Sequence, residues 1–384
     1  MDVDAGDLLS DDMSASINPD AVEHLKDRIA TEVDLGNVLA AQFAIGFGNE
    51  VVAGGSFGDA FDDTRFCIFS ATKALVSSTL LPFVASGALD PAATVASYIP
   101  EFGSNGKDVV TVEQLMTMRG GFPMAPMGPK YWGTSAGRRS GFARWTLDFE
   151  PGTRSVYHPM AGHWVQAELI ETLSGRSYIE TVHETITAPL GLRPALGPTV
   201  MDLPLRDVRI HGERPDDETL IETFGEPRFV PLPAIGVDAL LALNDPNVRA
   251  SGVPGGGGFV RASDLATIYQ GLLHNPAGVF DEATLDDARS HVRNNLLDEL
   301  TGVPAARTLT YCMSGDDGYS DLRNLPMAAP KAFGHLGAGG QIAWGDPDTG
   351  MSFVFLNDTL HQDPRVEYLR ARDLNMLATA CVGA

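Results

Sequence analysis

Apolar residues that recur every three or four positions predict several amphipathic helices in this chain. Val22, Leu25 and Ile29 show this spacing directly after Asn18-Pro19, a sequence typical of a helix start. The same reasoning predicts helices over 20–33, 162–174, 263–273 and 365–380. Two of them lie near the beginning and the end of the chain.

Shorter apolar runs bounded by turn residues predict strands. The segments 41–47 and 51–53 flank Gly48-Asn49-Glu50, which predicts a hairpin. Three later strand-like runs cover 308–313, 341–345 and 351–356. We therefore expect the α/β (α+β) class, with a sheet assembled from both ends of the chain, helices around it and the chain ends close together.

The order of these elements predicts a divided domain with an insertion. We expect a flexible acidic tail over 1–17, an α/β domain made of 18–88 and 250–384, and an inserted, mainly helical domain over 89–249. Within the insertion, the Pro-rich and charged stretch 199–247 has little periodicity, and it predicts loops or a short hairpin.

Composition limits the classes of partner. The 384 residues carry a formal charge of −23, which disfavours nucleic acid and anionic membrane surfaces. The acidic beginning lacks the basic and apolar regions of a signal peptide, and no stretch is long and apolar enough to span a bilayer. Three cysteines leave an odd thiol and show no metal-ligand spacing. We expect a cytoplasmic protein.

The most informative motif is Ser70-Ala71-Thr72-Lys73, at the head of the apolar run 74–81. If a helix begins near Phe69, Ser70 and Lys73 lie one turn apart on the same face. A serine hydroxyl needs a proton acceptor, and a lysine can act as one when burial lowers its pKa. A solvated surface pair is the alternative, but the apolar neighbours of Lys73 argue against it.

Two further segments are candidates for the same site. Tyr157 follows the Pro151-Gly152 turn on a loop, where a residue that only packs against the turn is the alternative. The stretch 333–344 is rich in glycine at the edge of a strand, which permits close approach of a backbone or a substrate. A tight connection between strands would explain that composition equally well.

Together, these three segments resemble the motifs of the serine β-lactamase and penicillin-binding protein superfamily, in particular its class C-like branch and the family VIII carboxylesterases. Its motifs SxxK, YxN and the KTG-like triplet, often HxG in the esterases, correspond to 70–73, 157–159 and 335–337. The stretches 115–121, 189–192 and 254–265 are also similar. The resemblance runs from about Ala21 to the end of the chain and implies an antiparallel β-lactamase-like sheet.

The resemblance implies a role for each motif. Ser70 would attack, Lys73 and Tyr157 would share the acid and base roles, and the N–H groups of Ser70 and Ala338 would form the oxyanion hole. His335, Leu336 and Gly337 would border the pocket. We expect additional apolar walls at Met124, Met127, Tyr131, Trp132 and Trp344. No metal or organic cofactor is implied.

Two departures from the family pattern bear on the substrate. Pro159 lacks the side-chain amide of YxN, and His335 replaces the lysine that would hold a substrate carboxylate. Both changes disfavour β-lactam hydrolysis, whereas ester hydrolysis needs neither group. We therefore expect a serine carboxylesterase for small-molecule esters with small to medium acyl chains.

Several alternatives stay open. Within enzymes they are a β-lactamase or D-amino-acid peptidase or amidase, and an acyltransferase; outside them, a catalytically silent binding module. Gly54-Gly55-Ser56-Phe57-Gly58 matches the GxSxG nucleophile elbow, but Ser56 follows a hairpin strand and no helical pattern comes after it. His158 and His163 could suggest a Ser-His pair, and we interpret them instead as structural residues of the loop and the helix.

Overall fold

The computed structural model describes residues 16–224 and 236–383. Its α-helices are α1 Pro19–Asp34, α2 Thr72–Ser78, α3 Leu81–Ala85, α4 Val95–Tyr98, α5 Val112–Met116, α6 Ser135–Phe142, α7 Ala161–Ser174, α8 Tyr178–Val182, α9 Asp217–Phe224, α10 Val237–Leu241, α11 Pro246–Ala250, α12 Ala262–His274, α13 Glu282–Ser290 and α14 Pro364–Thr379. The four helices that periodicity predicts correspond to α1, α7, α12 and α14 within one residue at each end.

The strands are short except for those of the central sheet. They are β1 Ser16–Ile17, β2 Ala40–Phe47, β3 Glu50–Gly58, β4 Phe66–Cys67, β5 Arg209–His211, β6 Phe259–Val260, β7 Leu297–Asp298, β8 Val303–Pro304, β9 Cys312–Met313, β10 Phe333–Gly334, β11 Ile342–Asp346, β12 Met351–Asn357, β13 Thr359–His361 and β14 Val382–Gly383. Short 3₁₀ turns occur between them, including the one at Phe69–Ala71.

Six strands form the main sheet in the order β3-β2-β12-β11-β10-β9, and every neighbouring pair is antiparallel. Strands β2 and β3 come from the first part of the chain and the others from the last part, so the predicted sheet from both chain ends is confirmed. The predicted hairpin is β2–β3 with its turn at Gly48 and Asn49. Strands β1 and β14 also pair, which brings the two ends of the described chain together.

Helices cover both faces of this sheet. Helices α1 and α14 pack on one face, in an apolar cluster that includes Leu25, Trp344 and Leu374. Helix α12 packs on the other face, in a larger cluster that continues without a break through α2 into the inserted region. The nucleophile motif therefore lies where the sheet and the inserted helices share one core.

The structure corrects three expectations. Ser16 and Ile17 belong to β1 rather than to the tail, while residues 1–15 lie outside the described part of the chain. Residues 308–311 form a turn instead of a strand, because the Thr308 hydroxyl accepts hydrogen bonds from the N–H groups of Thr310 and Tyr311.

The stretch 199–247 has no hairpin in its described part. It contains short helices, such as α11, whose N-terminus is capped by the Asp245 carboxylate. It also contains β5, which pairs in parallel with β13, so the insertion is not entirely helical. Residues 225–235 of this stretch lie outside the described part.

Candidate active site

Ser70 sits in a sharp turn between a strand and a helix. Strand β4 leads into the 3₁₀ turn Phe69–Ala71, and α2 begins at Thr72. Phe69 has φ +44, a left-handed conformation that costs free energy for a residue with a Cβ. Its buried ring fixes this conformation, and Ser70 is consequently presented at the half-buried end of α2.

Lys73 and Ser70 are in direct contact, as their spacing predicts. The Lys73 Nζ lies 3.0 Å from the Ser70 Oγ and donates a second hydrogen bond of 2.5 Å to the carbonyl oxygen of Gly255. The side chain is buried, and no carboxylate within the described residues pairs with it. An amine in this position can take a proton from the serine hydroxyl.

The environment of Lys73 favours its neutral form. Burial is the main cause that lowers its pKa well below the usual value, and the positive charge of Arg307 lowers it further. A lysine that gives up its proton more readily is available as a base closer to neutral pH. The physical requirement for the proposed role of Lys73 is therefore present.

Tyr157 completes the group around the serine. The centroid of its ring lies 5.3 Å from the Lys73 Nζ and 6.1 Å from the centroid of the His335 ring. Burial raises the pKa of Tyr157, while its hydrogen bond with Ser70 and the charge of Arg307 act in the opposite direction. The phenol thus starts protonated and can pass a proton between Ser70 and Lys73.

The glycine-rich turn after β10 lies against the backbone that precedes Ser70. A Cβ on Gly337 would collide with the carbonyl oxygen of Ile68, so only glycine permits this approach. The N–H groups of Ser70 and Ala338 donate no hydrogen bond within the described residues. An oxyanion hole requires free N–H donors, and these two donors are free.

His335 lies in this turn as a buried, neutral imidazole. Its Nδ1 is 2.8 Å from the carbonyl oxygen of Leu336, so Nδ1 carries the proton and donates it. Burial, and then the charges of Arg307 and Lys73, lower its pKa well below the usual value. His335 therefore supplies no positive charge near neutral pH.

Two residues near this group are missing from the sequence-based prediction. Gly255 supplies the carbonyl that holds Lys73, and a Cβ on Gly255 would lie 3.1 Å from the carbonyl oxygen of Pro159. The Pro254-Gly255-Gly256 resemblance indicates this loop but not its contact. Arg307 places its Cζ 5.3 Å from the centroid of the Tyr157 ring.

The expected pocket wall at Trp344 is wrong. Trp344 lies in β11 and belongs to the cluster under α1 and α14, and its Nε1 donates to the Asn375 side chain of α14. Ser70 borders the cluster on the opposite face, which contains Phe69 and Ala71. Side chains alternate along a strand, so Trp344 is directed away from the site.

The other expected walls are not placed against Ser70. Tyr131 and Met124 line a separate cavity of about 360 Å³, whose lining contains neither Ser70 nor Tyr157. Trp132 stacks on Trp164 of α7, with a ring distance of 5.4 Å, and donates its Nε1 hydrogen to the Met127 carbonyl. Packing within the inserted region explains these aromatic residues.

The rival serine and the two histidines have structural roles. Ser56 lies inside β3 rather than at a strand-to-helix turn, and it donates to Asp62. His158 bonds the Val156 carbonyl through Nδ1 and accepts the Phe122 N–H at Nε2, while burial lowers its pKa to about 4. His163 in α7 lies 3.3 Å from the Ser77 hydroxyl rather than beside Ser70.

Neither a metal centre nor a membrane span emerges from the described residues. No group of three His, Cys, Asp or Glu side chains is arranged to hold a metal ion between 16 and 224 or between 236 and 383. Across these same ranges, no helix has the length and apolar character needed to cross a bilayer.

Comparisons with known proteins agree with the motifs. A family model described as "Beta-lactamase" matches residues 25–377. The esterase/beta-lactamase LipL of Mycobacterium tuberculosis is 26% identical over 327 residues, which are 78% of this chain and 70% of LipL. Among solved structures, a penicillin-binding protein homologue from Caulobacter crescentus superposes with a TM-score of 0.77 at 23% identity and covers 95% of this chain and 99% of its own. A family VIII carboxylesterase superposes with a TM-score of 0.74 at 22% identity, covering 94% and 99%.

Proposed function

Because the chain belongs to the beta-lactamase family, and is thus an enzyme of that hydrolase superfamily, we propose that it cleaves carboxylic esters through an acyl-enzyme on Ser70. The proposed substrates are small molecules with small to medium acyl chains. The observation that carries this proposal is the Lys73 amine, buried without an acid partner among the described residues and 3.0 Å from the Ser70 Oγ.

The proposed reaction has two stages. Ser70 Oγ attacks the ester carbonyl, and its proton passes to Lys73 directly or through Tyr157. The oxyanion that forms accepts hydrogen bonds from the N–H groups of Ser70 and Ala338. Collapse breaks the bond to the alcohol oxygen, which leaves with that proton. A water molecule then attacks the acyl carbonyl and gives a proton to the same pair. That proton passes to the Ser70 Oγ as its bond to the acyl carbon breaks, which releases the carboxylic acid and free Ser70.

The residues around the serine support esters over β-lactams. Pro159 offers no side-chain amide, and the neutral His335 gives no fixed charge at the third motif. Ester cleavage requires neither an amide nor a carboxylate beside the reacting carbonyl, so it depends less on these orienting contacts. The name of the family VIII carboxylesterase is consistent with ester substrates, whereas LipL is named for both activities.

A panel of 4-nitrophenyl esters beside nitrocefin tests the proposal. We expect ester turnover that exceeds lactam turnover by orders of magnitude and disappears in Ser70→Ala. Ser56→Ala is the matched control, because it removes the hydroxyl of the rival motif, and it should retain activity. Rapid nitrocefin hydrolysis with negligible ester cleavage would favour the β-lactamase alternative.

Transfer of the acyl group to an added alcohol, at the expense of hydrolysis, would instead favour the acyltransferase.

A cytoplasmic location is part of the proposal and is supported by three free, buried cysteines.

A further inference from the structure

A buried ion pair lies directly behind the glycine-rich turn. Arg370 of α14 is fully buried, and its guanidinium donates over 3.3 Å to the carboxylate of Glu32 in α1, which Arg28 and Asn37 also hold. A second guanidinium nitrogen donates over 2.9 Å to the carbonyl oxygen of Gly339. Removing two charges from water is costly, and packed apolar side chains would often be at least as stable. Stability alone therefore does not explain the pair.

The position of the Arg370 guanidinium is fixed by its neighbours. Its carbon lies 5.7 Å from the centroid of the Phe355 ring in β12. A Cβ on Gly340 would lie 2.8 Å from the nitrogen that donates to the Gly339 carbonyl, so the guanidinium packs closely against the turn. The charged donor is thus directed at the backbone of the turn.

The turn itself has few restraints of its own. Gly339 and Gly340 have φ +76 and +73, in a region that glycine enters and leaves easily. Backbone hydrogen bonds between Gly337 and Gln341 close the turn. The Gly339 carbonyl also accepts a hydrogen bond of 2.8 Å from the Asn357 side chain. Both lone pairs of this buried oxygen are therefore used, one of them by a charged donor, which makes the stronger type of hydrogen bond.

Ala338 lies in this turn, directly before Gly339. Its free N–H can stabilise an oxyanion only if it is held where the negative charge develops. On one side of Ala338, Gly337 is packed against the Ile68 carbonyl. On the other side, the Gly339 carbonyl is held by Arg370. The donor is therefore fixed from both sides.

From this arrangement, we propose that Arg370 is a positioning residue of the oxyanion hole. Oriented by Glu32, it holds the Gly339 carbonyl and thereby keeps the Ala338 N–H directed at the oxyanion. The inference rests on the proposed acylation of Ser70, and it gives helices α1 and α14 a part in that reaction. Supporting contacts of this kind set how precisely a catalytic donor is placed.

Ester hydrolysis by variants of the ion pair separates positioning from folding. The double variant Glu32→Met/Arg370→Met removes both charges together, so its free energy of unfolding should equal or exceed that of wild type. We nevertheless expect kcat to fall by about tenfold to a hundredfold, with a smaller change in KM, because the Ala338 N–H is displaced. Arg370→Lys retains a charged donor and should recover part of the kcat that Arg370→Met loses.

Arg138→Met is the matched control, because it breaks a buried ion pair with Glu168 in the inserted region. It should lower stability but retain kcat. A folded Glu32→Met/Arg370→Met protein with wild-type kcat would overturn the proposal. Losses of kcat that follow the losses of stability across the control and the Arg370 variants would overturn it as well.

Two further measurements do not depend on ester cleavage. A fluorophosphonate labels a serine nucleophile through a transition state that also places negative charge on oxygen, so the rate constant for labelling Ser70 should fall by about tenfold or more in the double variant. Hydrogen exchange followed by mass spectrometry should be faster over 337–341 in the double variant and unchanged there in Arg138→Met.

Unchanged labelling and exchange would overturn the positioning role even if ester hydrolysis is established. Conversely, if wild type cleaves no ester but labelling and exchange differ between wild type and the double variant, the esterase proposal fails while the positioning role stands.

Discussion

Replacing Gly337 by alanine should disable the enzyme without unfolding it. A Cβ at this position would lie well under 3.0 Å from the Ile68 carbonyl oxygen and 2.9 Å from the Gln341 Cβ. Gly337 does not have a positive φ, so alanine is compatible with its backbone conformation and the effect is purely steric. The collision is with backbone, which cannot rotate away as a side chain can.

The size of the effect follows from the displacement that relieves the collision. The new Cβ and the Ile68 oxygen have to move apart by roughly 1 Å to reach ordinary van der Waals contact. That movement separates the Ala338 N–H from Ser70, and a misplacement of this size costs about a hundredfold in rate. The accompanying loss of stability should be about 1 to 3 kcal/mol, typical of overpacking.

The assay is steady-state ester hydrolysis together with thermal unfolding of the same preparations. We expect kcat to fall on the order of a hundredfold, with a smaller change in KM, because the N–H groups act mainly on the transition state. Gly46→Ala is the matched control. Its Cβ would collide with the Ser352 Oγ of β12 and the Gln270 Cγ of α12, so it should lower stability but retain kcat.

The reasoning would be refuted by a folded Gly337→Ala enzyme with wild-type kcat. It would also be refuted if Gly46→Ala and Gly337→Ala lost activity in proportion to their stability. In either case, the contact between the glycine-rich turn and Ile68 would not be what positions the Ala338 N–H relative to Ser70.

Four further predictions concern the proton path and the fold. Lys73→Met and Tyr157→Phe should each lower kcat by a factor on the order of a hundred, and the double variant should lose far less than the product, since both serve one path; a multiplicative loss would contradict the shared path. Because burial lowers the pKa of folded Lys73 below its unfolded value, activity should rise with pH as the amine loses its proton, and flat activity from about pH 5 to about pH 9 would exclude an amine or phenol base. For the same reason, Lys73 takes up a proton more readily in the unfolded chain than in the folded one. The free energy of unfolding of wild type, relative to that of Lys73→Met, should therefore increase with pH up to the unfolded pKa of the lysine. Chemical denaturation at a series of pH values measures this trend, and a difference in free energy that stays constant with pH would contradict it. Finally, Glu168→Ala should destabilise the protein by about 3 kcal/mol, because it removes a buried carboxylate that pairs with both Arg138 and Arg139 and leaves Arg138 with Glu171 alone. Glu184→Ala, which breaks an exposed pair with Arg176, should cost about 1 kcal/mol or less, and equal melting temperatures would refute the difference.

The features that the sequence alone predicts best are local ones. Ser70 and Lys73 are three residues apart on one turn, so helical geometry brings them together without knowledge of the rest of the fold. The helices α1 and α14 are also recognisable from local sequence, because their apolar residues recur every three or four positions. Tyr157 and His335 are distant in sequence, and only the order of motifs in the resemblance associates them with Ser70.

Sequence patterns fail where the fold decides which face a residue occupies. Trp344 is close in sequence to the glycine-rich turn, but the alternation along β11 places it under α14. Periodicity shows that neighbours alternate, not which face carries the site. Burial of a lysine is likewise insufficient to identify a catalytic group. Lys107 is also buried, and in the described part of the chain it donates hydrogen bonds to the Ser104 and Trp145 carbonyls alone.

Arg307 carries a sequence signal that could have been used. The segment 303–313 contains no acidic residue and is otherwise apolar or weakly polar, which is unusual around an arginine. Directly before an expected strand, however, a single arginine is normally interpreted as a solvent-facing position. The turn at Ala306 and the ladder to Asn294 direct it inward, and both depend on long-range contacts.

Mass spectrometry of the trapped acyl-enzyme tests the central claim most directly. The protein would be mixed with an excess of a 4-nitrophenyl ester, quenched in acid within the burst, weighed intact and digested for mapping. We predict one acyl group per chain, attached to Ser70, and no acyl group on the Ser70→Ala protein. An acyl group on Ser56 or another residue, or ester turnover that persists in Ser70→Ala, would contradict a reaction through Ser70.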